Sequence, residues 1–254
     1  MMKSIVVAVL AVFALGSCSK PAANAATAAA SPAASIPATA SVAAAPPATP
    51  PATMADWTAA LEKLYTSSST KDEGDGVTSF FSNFGIPGQS KGEAHLVAFG
   101  KRDTFRNLRF YTPGIQLEIE TSLEDYISLR DGKLPALLIK PYFFGENGWL
   151  FINQVAVMAD GEIVFQRDFK DEHVDTDILP GGVQERYTFL ATPEDIAGLR
   201  KIRPDSKVLI RITGKKGYVM VNKREASAFR ANIIDSLQIY DLMTAALKPH
   251  LPPG

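Results

Sequence analysis

The sequence predicts an α+β protein: a mostly antiparallel β-sheet or sandwich flanked by an N-terminal helix and a long C-terminal amphipathic helix. Short segments with the apolar patterns of strands follow one another through the body of the chain. The sequence Ala159-Asp160-Gly161-Glu162 joins two of them, and Asp-Gly pairs favour a two-residue hairpin turn. The chain then closes on a helix-spaced apolar stripe. No strand–helix–strand alternation indicates a parallel sheet.

The first element of the body is predicted to be a helix over Met54–Thr66. Thr53 is its expected N-cap because Asp56 follows three residues later. A polar loop is expected over Ser67–Asp75. The apolar positions of the helix recur with helical spacing at Trp57, Leu61, Leu64 and Tyr65.

Nine strands are predicted after this loop, because apolar and β-branched residues dominate each segment. Ile115–Thr121 alternates apolar and polar residues, so one of its faces is expected to contact water. The predicted strands are Glu93–Phe99, Arg106–Tyr111, Ile115–Thr121, Ala136–Phe144, Trp149–Met158, Glu162–Phe169, Gln184–Leu190, Lys207–Thr213 and Gly217–Val221.

Three further helices are expected. One short helix is predicted near Leu123–Leu129, and another begins at Pro193, with Thr192 as its cap, and ends near Lys201. The last helix covers Lys223–Lys248, where Pro249 ends it. Its apolar stripe consists of Ala226, Phe229, Ile233, Leu237, Tyr240, Met243 and Leu247.

The composition divides the chain into three parts: a signal peptide (1–17), a tether (18–53) and a single globular domain (54–254). Residues 19–53 contain 16 alanines, 7 prolines, 4 serines and 4 threonines, and no aromatic residue. Such a segment buries too little apolar surface to offset its conformational entropy, which predicts a disordered tether. Its reach is about 30–35 Å as a flexible coil and about 110 Å when fully extended.

Charge and cysteine content exclude several function classes. Residues 54–254 carry 24 Lys and Arg against 27 Asp and Glu, whereas a nucleic-acid-binding domain is usually strongly basic. The chain has 1 cysteine, which lies outside this region. Disulfides, thiol catalysis and cysteine-ligated zinc are therefore excluded from the predicted domain. No cofactor is expected.

The N-terminus combines a short basic start with an apolar run of 12 residues, Ile5–Gly16. This run is too short to span a membrane and is typical of a secretory signal. Leu15-Gly16-Ser17-Cys18 resembles the lipobox of bacterial lipoproteins. The resemblance implies cleavage before Cys18, a diacylglyceryl group on its sulfur and an acylated amino terminus. Ser19 is not the aspartate that retains many such lipoproteins in the inner membrane, which implies an outer-membrane anchor with the body in the periplasm.

Three short motifs resemble functional signatures but lie in other contexts. Gly88–Gly92 matches the G-x-S-x-G of α/β-hydrolases around Ser90, yet a Gly/Pro-rich stretch precedes it and a predicted strand follows. Ser68–Lys71 matches S-x-x-K without the companion motifs of penicillin-recognising enzymes. Gly214–Gly217 resembles the GXXG clamp of KH domains, but it joins two predicted strands and is interpreted as a hairpin turn.

The histidines, His95, His173 and His250, limit any acid–base or metal role. His173 lies in an acidic segment whose Asp171, Asp175 and Asp177 are weak candidate ligands for a hard cation. Their spacing matches no ordered metal loop, so a solvated acidic loop is expected. His95 is expected to be structural, and His250 exposed.

Opposite charges are concentrated in two neighbouring segments. Residues 160–195 have a net charge of −7, and residues 199–230 have a net charge of +8. The second segment supplies a candidate partner-binding basic patch, whereas contact between the segments would neutralise both. The patch consists of Lys215, Lys216, Arg211, Lys223 and Arg224.

These observations predict a lipid-anchored envelope lipoprotein that acts as a non-enzymatic periplasmic binding or assembly module. Its expected contacts are the membrane, through Cys18, and a protein or glycan partner, but not nucleic acid. One alternative is an inhibitor or immunity lipoprotein directed against a cell-wall enzyme. Another is a small serine hydrolase that uses Ser90 with His95 or His173.

Overall fold

In a computed structural model, the chain is described over residues 52–86, 96–114, 120–170 and 173–252. These residues belong to a compact unit, Thr49–Gly254. The helices are α1 (Met54–Glu62), α2 (Pro193–Leu199) and α3 (Lys223–Leu247), and a 3-10 turn follows at Lys248–His250. The strands are β1 (Tyr65–Gly74), β2 (Val77–Phe84), β3 (Leu96–Asp103), β4 (Leu108–Pro113), β5 (Ser122–Arg130), β6 (Ala136–Gly145), β7 (Ile152–Ala159), β8 (Glu162–Asp168), β9 (Asp175–Leu179), β10 (Gly182–Arg186), β11 (Phe189–Leu190), β12 (Val208–Gly214) and β13 (Gly217–Met220).

The strands form two sheets. The larger has the order β1-β2-β3-β4-β5-β6-β10-β9, and β11 also pairs with β6. The smaller has the order β13-β12-β7-β8. All strand pairs between described residues are antiparallel. The predicted fold class, a mostly antiparallel β protein with a short N-terminal and a long C-terminal helix, is confirmed.

The long helix α3 joins the two sheets into one core. It contacts β4, β5 and β6 of the larger sheet and β12 of the smaller one. Its predicted apolar stripe is confirmed, because all seven positions are buried or pack against the core. Helix α1 packs against α3, and α2 packs against β8.

Local signals identified the helix starts and the central hairpin correctly. Thr53 and Thr192 each cap a helix through an aspartate three residues later. Asp160 and Gly161 adopt positive φ values of 51° and 92°, as the two-residue turn between β7 and β8 requires. The turn at Gly214–Gly217 likewise joins paired strands, β12 and β13.

Two predicted elements are wrong. Helix α1 ends at Glu62, and the expected polar loop over Ser67–Asp75 is mostly strand β1, whose residues from Thr66 onward are exposed. Pairing with β2, and not an apolar pattern, holds β1 in place. The expected helix at Leu123–Leu129 is strand β5. Leu123, Ile127 and Leu129 lie on its buried face, and Asp125 at the intervening position interrupts the apolar alternation.

The other predicted strands are found with boundaries shifted by a few residues, and the predicted strand Gln184–Leu190 is divided into β10 and β11. Strand β2 is not among the predicted strands. Most of the predicted strand Ile115–Thr121 lies outside the described residues.

Candidate functional site

Several predicted sites lie outside the described residues, so the hypotheses that depend on them stay predictions. They are the lipobox residues Leu15, Gly16, Ser17 and Cys18, the motif serine Ser90, His95 and the candidate ligand Asp171.

The acidic segment is a strand in part, which corrects the prediction of a loop. Asp175 and Asp177 lie on β9, and both side chains are exposed. The Asp175 carboxylate lies 3.9 Å from the Arg186 guanidinium, and the Asp177 carboxylate accepts a hydrogen bond from the backbone N–H of Ile178. Within the described ranges, no three carboxylate, histidine or cysteine side chains are grouped as metal ligands.

The acidic and basic segments meet at the β7–β8 hairpin. Arg203 donates to the Asp160 carboxylate over 3.0 Å, and Lys201 lies 2.5 Å from Glu162. The backbone N–H of Lys207 and the Ser206 hydroxyl also donate to Asp160, and together they lower the pKa of its carboxyl. Part of the basic segment is therefore neutralised within the fold.

The five predicted patch residues lie on β12, in the β12–β13 turn and at the start of α3. Arg211 is exposed on β12, Lys215 and Lys216 form the β12–β13 turn, and Lys223 and Arg224 begin α3. We call these residues, together with the exposed apolar side chains Leu209, Tyr218 and Met220, the β13 edge surface.

The three apolar members of the β13 edge surface are exposed to solvent. Tyr218 is 64% exposed, and Met220 and Leu209 are 48% and 42% exposed. The Arg211 guanidinium lies 5.8 Å from the Tyr218 ring centroid, within the range of a cation–π contact. Aromatic residues, Met and Arg are enriched in protein interfaces, so this composition favours a protein-binding surface.

The basic turn is fixed against the loop between β6 and β7. The backbone N–H groups of Lys215 and Lys216 donate to the carbonyls of Phe151 and Leu150 over 3.1 and 3.3 Å. The Lys216 ammonium lies 5.0 Å from the Phe151 ring centroid. The orientation of the turn therefore depends on the conformation of this loop.

A buried carboxylate fixes the loop between β6 and β7. Glu185 of β10 is 1% exposed and accepts hydrogen bonds from the backbone N–H groups of Leu150, Phe151 and Ile152 over 2.6, 2.9 and 2.7 Å. Phe151 has a φ of 58°, which is unfavourable for a bulky residue. Three hydrogen bonds to one carboxylate compensate for this local strain.

A cleft of ≈ 640 Å³ lies beside β13. Its walls include Val219 and Met220 from β13, Phe144 from β6 and Trp149 from the β6–β7 loop. At the rim, Glu120 accepts a hydrogen bond from the Asn222 amide over 2.6 Å and pairs with Arg224 over 2.7 Å. A groove beside a sheet edge is a suitable place for an extended peptide.

The cations of this candidate surface were predicted from the sequence, whereas its apolar and structural members were not. Tyr218 and Met220 have the sequence pattern of ordinary strand residues, because the pattern of a short segment does not reveal which of its side chains are exposed. Glu185 contacts residues 33–35 positions earlier in the chain, and no local pattern signals such a contact.

Comparison of the chain with protein-family models, curated proteins and solved structures found no match. In the described part of the chain, no helix has both the length and the apolar character needed to cross a membrane.

Proposed function

We propose that this chain is a lipid-anchored envelope protein whose body is a non-catalytic binding module. In this proposal the β13 edge surface binds an extended, acidic segment of a protein partner. The observation that carries it is the exposed apolar edge strand, framed by five cationic side chains and bordered by a cleft.

The strand geometry supports an extended partner. Between described residues, β13 pairs with β12 alone, so half of its backbone N–H and C=O groups point away from the sheet. An open edge of this kind adds a strand from another chain through main-chain hydrogen bonds, while side-chain pockets supply specificity.

The charges support an acidic partner. The surface carries Arg211, Lys215, Lys216, Lys223 and Arg224, whereas Glu120 and Glu146 line the cleft. Arg224 compensates Glu120. The five cations outnumber the carboxylates Glu120, Glu146 and Glu225, the last of which also pairs with Arg224, and this excess attracts an acidic segment. The attraction weakens as salt rises.

The anchor is tested by substituting Cys18. We expect the wild-type protein to sediment with membranes, and Cys18→Ser to move to the soluble envelope fraction because it lacks the acyl chains that give stable anchoring. Ser17→Ala is the matched control, since it keeps the cysteine. Mass spectrometry of the mature N-terminus would show the added lipid. Equal membrane association of wild type and Cys18→Ser would overturn the anchor.

The binding surface is tested in cells with a photoreactive phenylalanine derivative at position 218. The control places the same group at position 105 in the β3–β4 turn, where Phe105 is 82% exposed. We expect position 218 alone to yield a product, with the label attached to an acidic segment of the partner. Products shared by both positions, or a neutral or basic target segment, would contradict the proposal.

Charge reversal then tests the basic turn. We expect Lys215→Glu/Lys216→Glu to weaken the affinity for the cross-linked segment about tenfold at low salt, and less at high salt. Lys63→Glu/Lys248→Glu is the control with the same net charge, because Lys63 and Lys248 are exposed at other positions. Equal effects of the two double variants would mean that only net charge matters and would contradict the assigned surface.

A further inference from the structure

Two arginines lie directly opposite each other on adjacent strands of the larger sheet. Arg102 of β3 is the register partner of Arg109 of β4. Residues in this relation have Cβ atoms about 4.5–5.5 Å apart, and like charges placed there destabilise the sheet. The pair therefore needs compensating negative charge.

Only one of the two arginines is compensated by an ion pair within the described residues. Arg109 is 7% exposed, pairs with Asp131 and lies with its guanidinium carbon 5.8 Å from the Trp57 ring centroid. Arg102 is exposed and has no carboxylate partner in the described part of the chain. The buried guanidinium of Arg109, which is held by an ion pair, therefore lies beside that of Arg102, whose charge no described carboxylate balances.

Both arginines line a cavity of ≈ 290 Å³ between α1 and the first four strands of the larger sheet, β1 to β4. We call it the arginine cavity. Its aromatic wall is formed by Tyr65 and Phe80, whose rings stack with centroids 6.3 Å apart. Its hydroxyl-bearing members besides Tyr65 are Thr58, Ser67, Thr70 and Thr78.

We propose that the arginine cavity binds the oxyanion of a small ligand, a carboxylate or phosphate group held between Arg102 and Arg109. A guanidinium presents paired donors that match such groups in two-point contacts, and the surrounding hydroxyls are further donors. The volume lies at the lower limit of small-molecule pockets, so the ligand is small.

Glu62 is the competing group inside this cavity. Its carboxylate lines the same space at the end of α1 and acts electrostatically on Arg109. Burial lowers the pKa of Arg109, and the positive charge of Arg102 lowers it further. A bound oxyanion relieves this repulsion more directly than an exposed carboxylate, and removal of Glu62 should therefore favour the ligand.

The test is calorimetric titration of the mature, full-chain protein in detergent with inorganic phosphate and, separately, with malonate. Sodium chloride keeps the ionic strength constant. We expect saturable binding of at least one probe. Saturation by phosphate alone assigns a phosphate ligand, saturation by malonate alone assigns a carboxylate ligand, and saturation by both assigns a general oxyanion site. Failure of both probes to saturate would overturn the proposal.

Three variants locate the site. We expect Arg102→Gln to weaken the affinity about tenfold and Glu62→Gln to strengthen it severalfold. Arg106→Gln is the matched control, since Arg106 pairs with Asp103 over 2.5 Å and does not line the cavity. An equal loss in Arg102→Gln and Arg106→Gln would overturn the assignment. Neither result bears on the β13 edge surface, so the two proposals fail separately.

Discussion

The Asp125→Asn variant is expected to be more stable than the wild-type protein at pH 8, by about 2–4 kcal/mol in the free energy of unfolding. Asp125 of β5 is 0% exposed and faces α3, where the Ser236 hydroxyl donates to its carboxyl group. Burial raises its pKa to about 7, and the neighbouring carboxylates Glu124 and Asp235 add to the rise.

The direction of the effect follows from proton binding. In the unfolded chain Asp125 loses its proton near pH 4, whereas in the folded protein it keeps the proton to about pH 7. Between these values the folded state binds more protons than the unfolded state. The contribution of Asp125 to stability is therefore greatest below pH 4, falls as the pH rises to 7 and is constant above it.

The measurement is urea unfolding at several pH values between 4 and 8. Asparagine keeps the shape and an acceptor for Ser236 but has no charge to bury, so the difference between variant and wild type should grow with pH. The control is Asp177→Asn on β9, where the side chain is exposed and the substitution should change the free energy of unfolding by less than about 0.5 kcal/mol. A constant difference between Asp125→Asn and wild type would contradict the buried titration.

Glu185→Ala is expected to lower the free energy of unfolding by about 3–5 kcal/mol. Its carboxylate accepts three backbone hydrogen bonds from the β6–β7 loop, and Leu150 and Ile152, which supply two of them, are buried. Alanine leaves these N–H groups without an acceptor. It also removes the contacts that compensate for the positive φ of Phe151.

Glu185→Gln should cost less, about 1–3 kcal/mol, because one amide oxygen still accepts hydrogen bonds while the amide NH₂ faces other donors. Glu146→Ala is the matched control in the same loop, where the exposed side chain should contribute within about 0.5 kcal/mol. Urea midpoints measure the stability, and hydrogen exchange at residues 150–152 reports the loop. Unchanged exchange in Glu185→Ala would contradict the anchoring role.

The elements that the sequence predicted well depend on contacts within a few residues. Thr53 and Thr192 bond to aspartates three positions away, and the Asp160-Gly161 turn needs only the backbone freedom of its own two residues. Each signal therefore lies inside a short window.

The elements that were predicted wrongly depend instead on contacts between residues far apart in the chain. Strand β1 is almost wholly exposed and exists because β2 pairs with it. In β5, Asp125 occupies a buried position where an apolar residue is usual. This interrupts the apolar alternation of a strand, and the remaining apolar spacing matches a helix. Contacts with distant parts of the chain determine both elements, and such contacts leave no local pattern.

Apolar patterning and turn chemistry, which act within a few residues, were enough to predict the fold class, the caps Thr53 and Thr192 and the main hairpin. The sequence also supplies the lipobox resemblance on which the proposed anchor depends. Tertiary packing placed the exposed side chains of Tyr218 and Met220 on the end strand of the smaller sheet, set Arg102 opposite Arg109 and directed Glu185 to the β6–β7 loop. These relations arise from strand register and from burial between residues far apart in the chain, which the packing of two sheets around α3 decides.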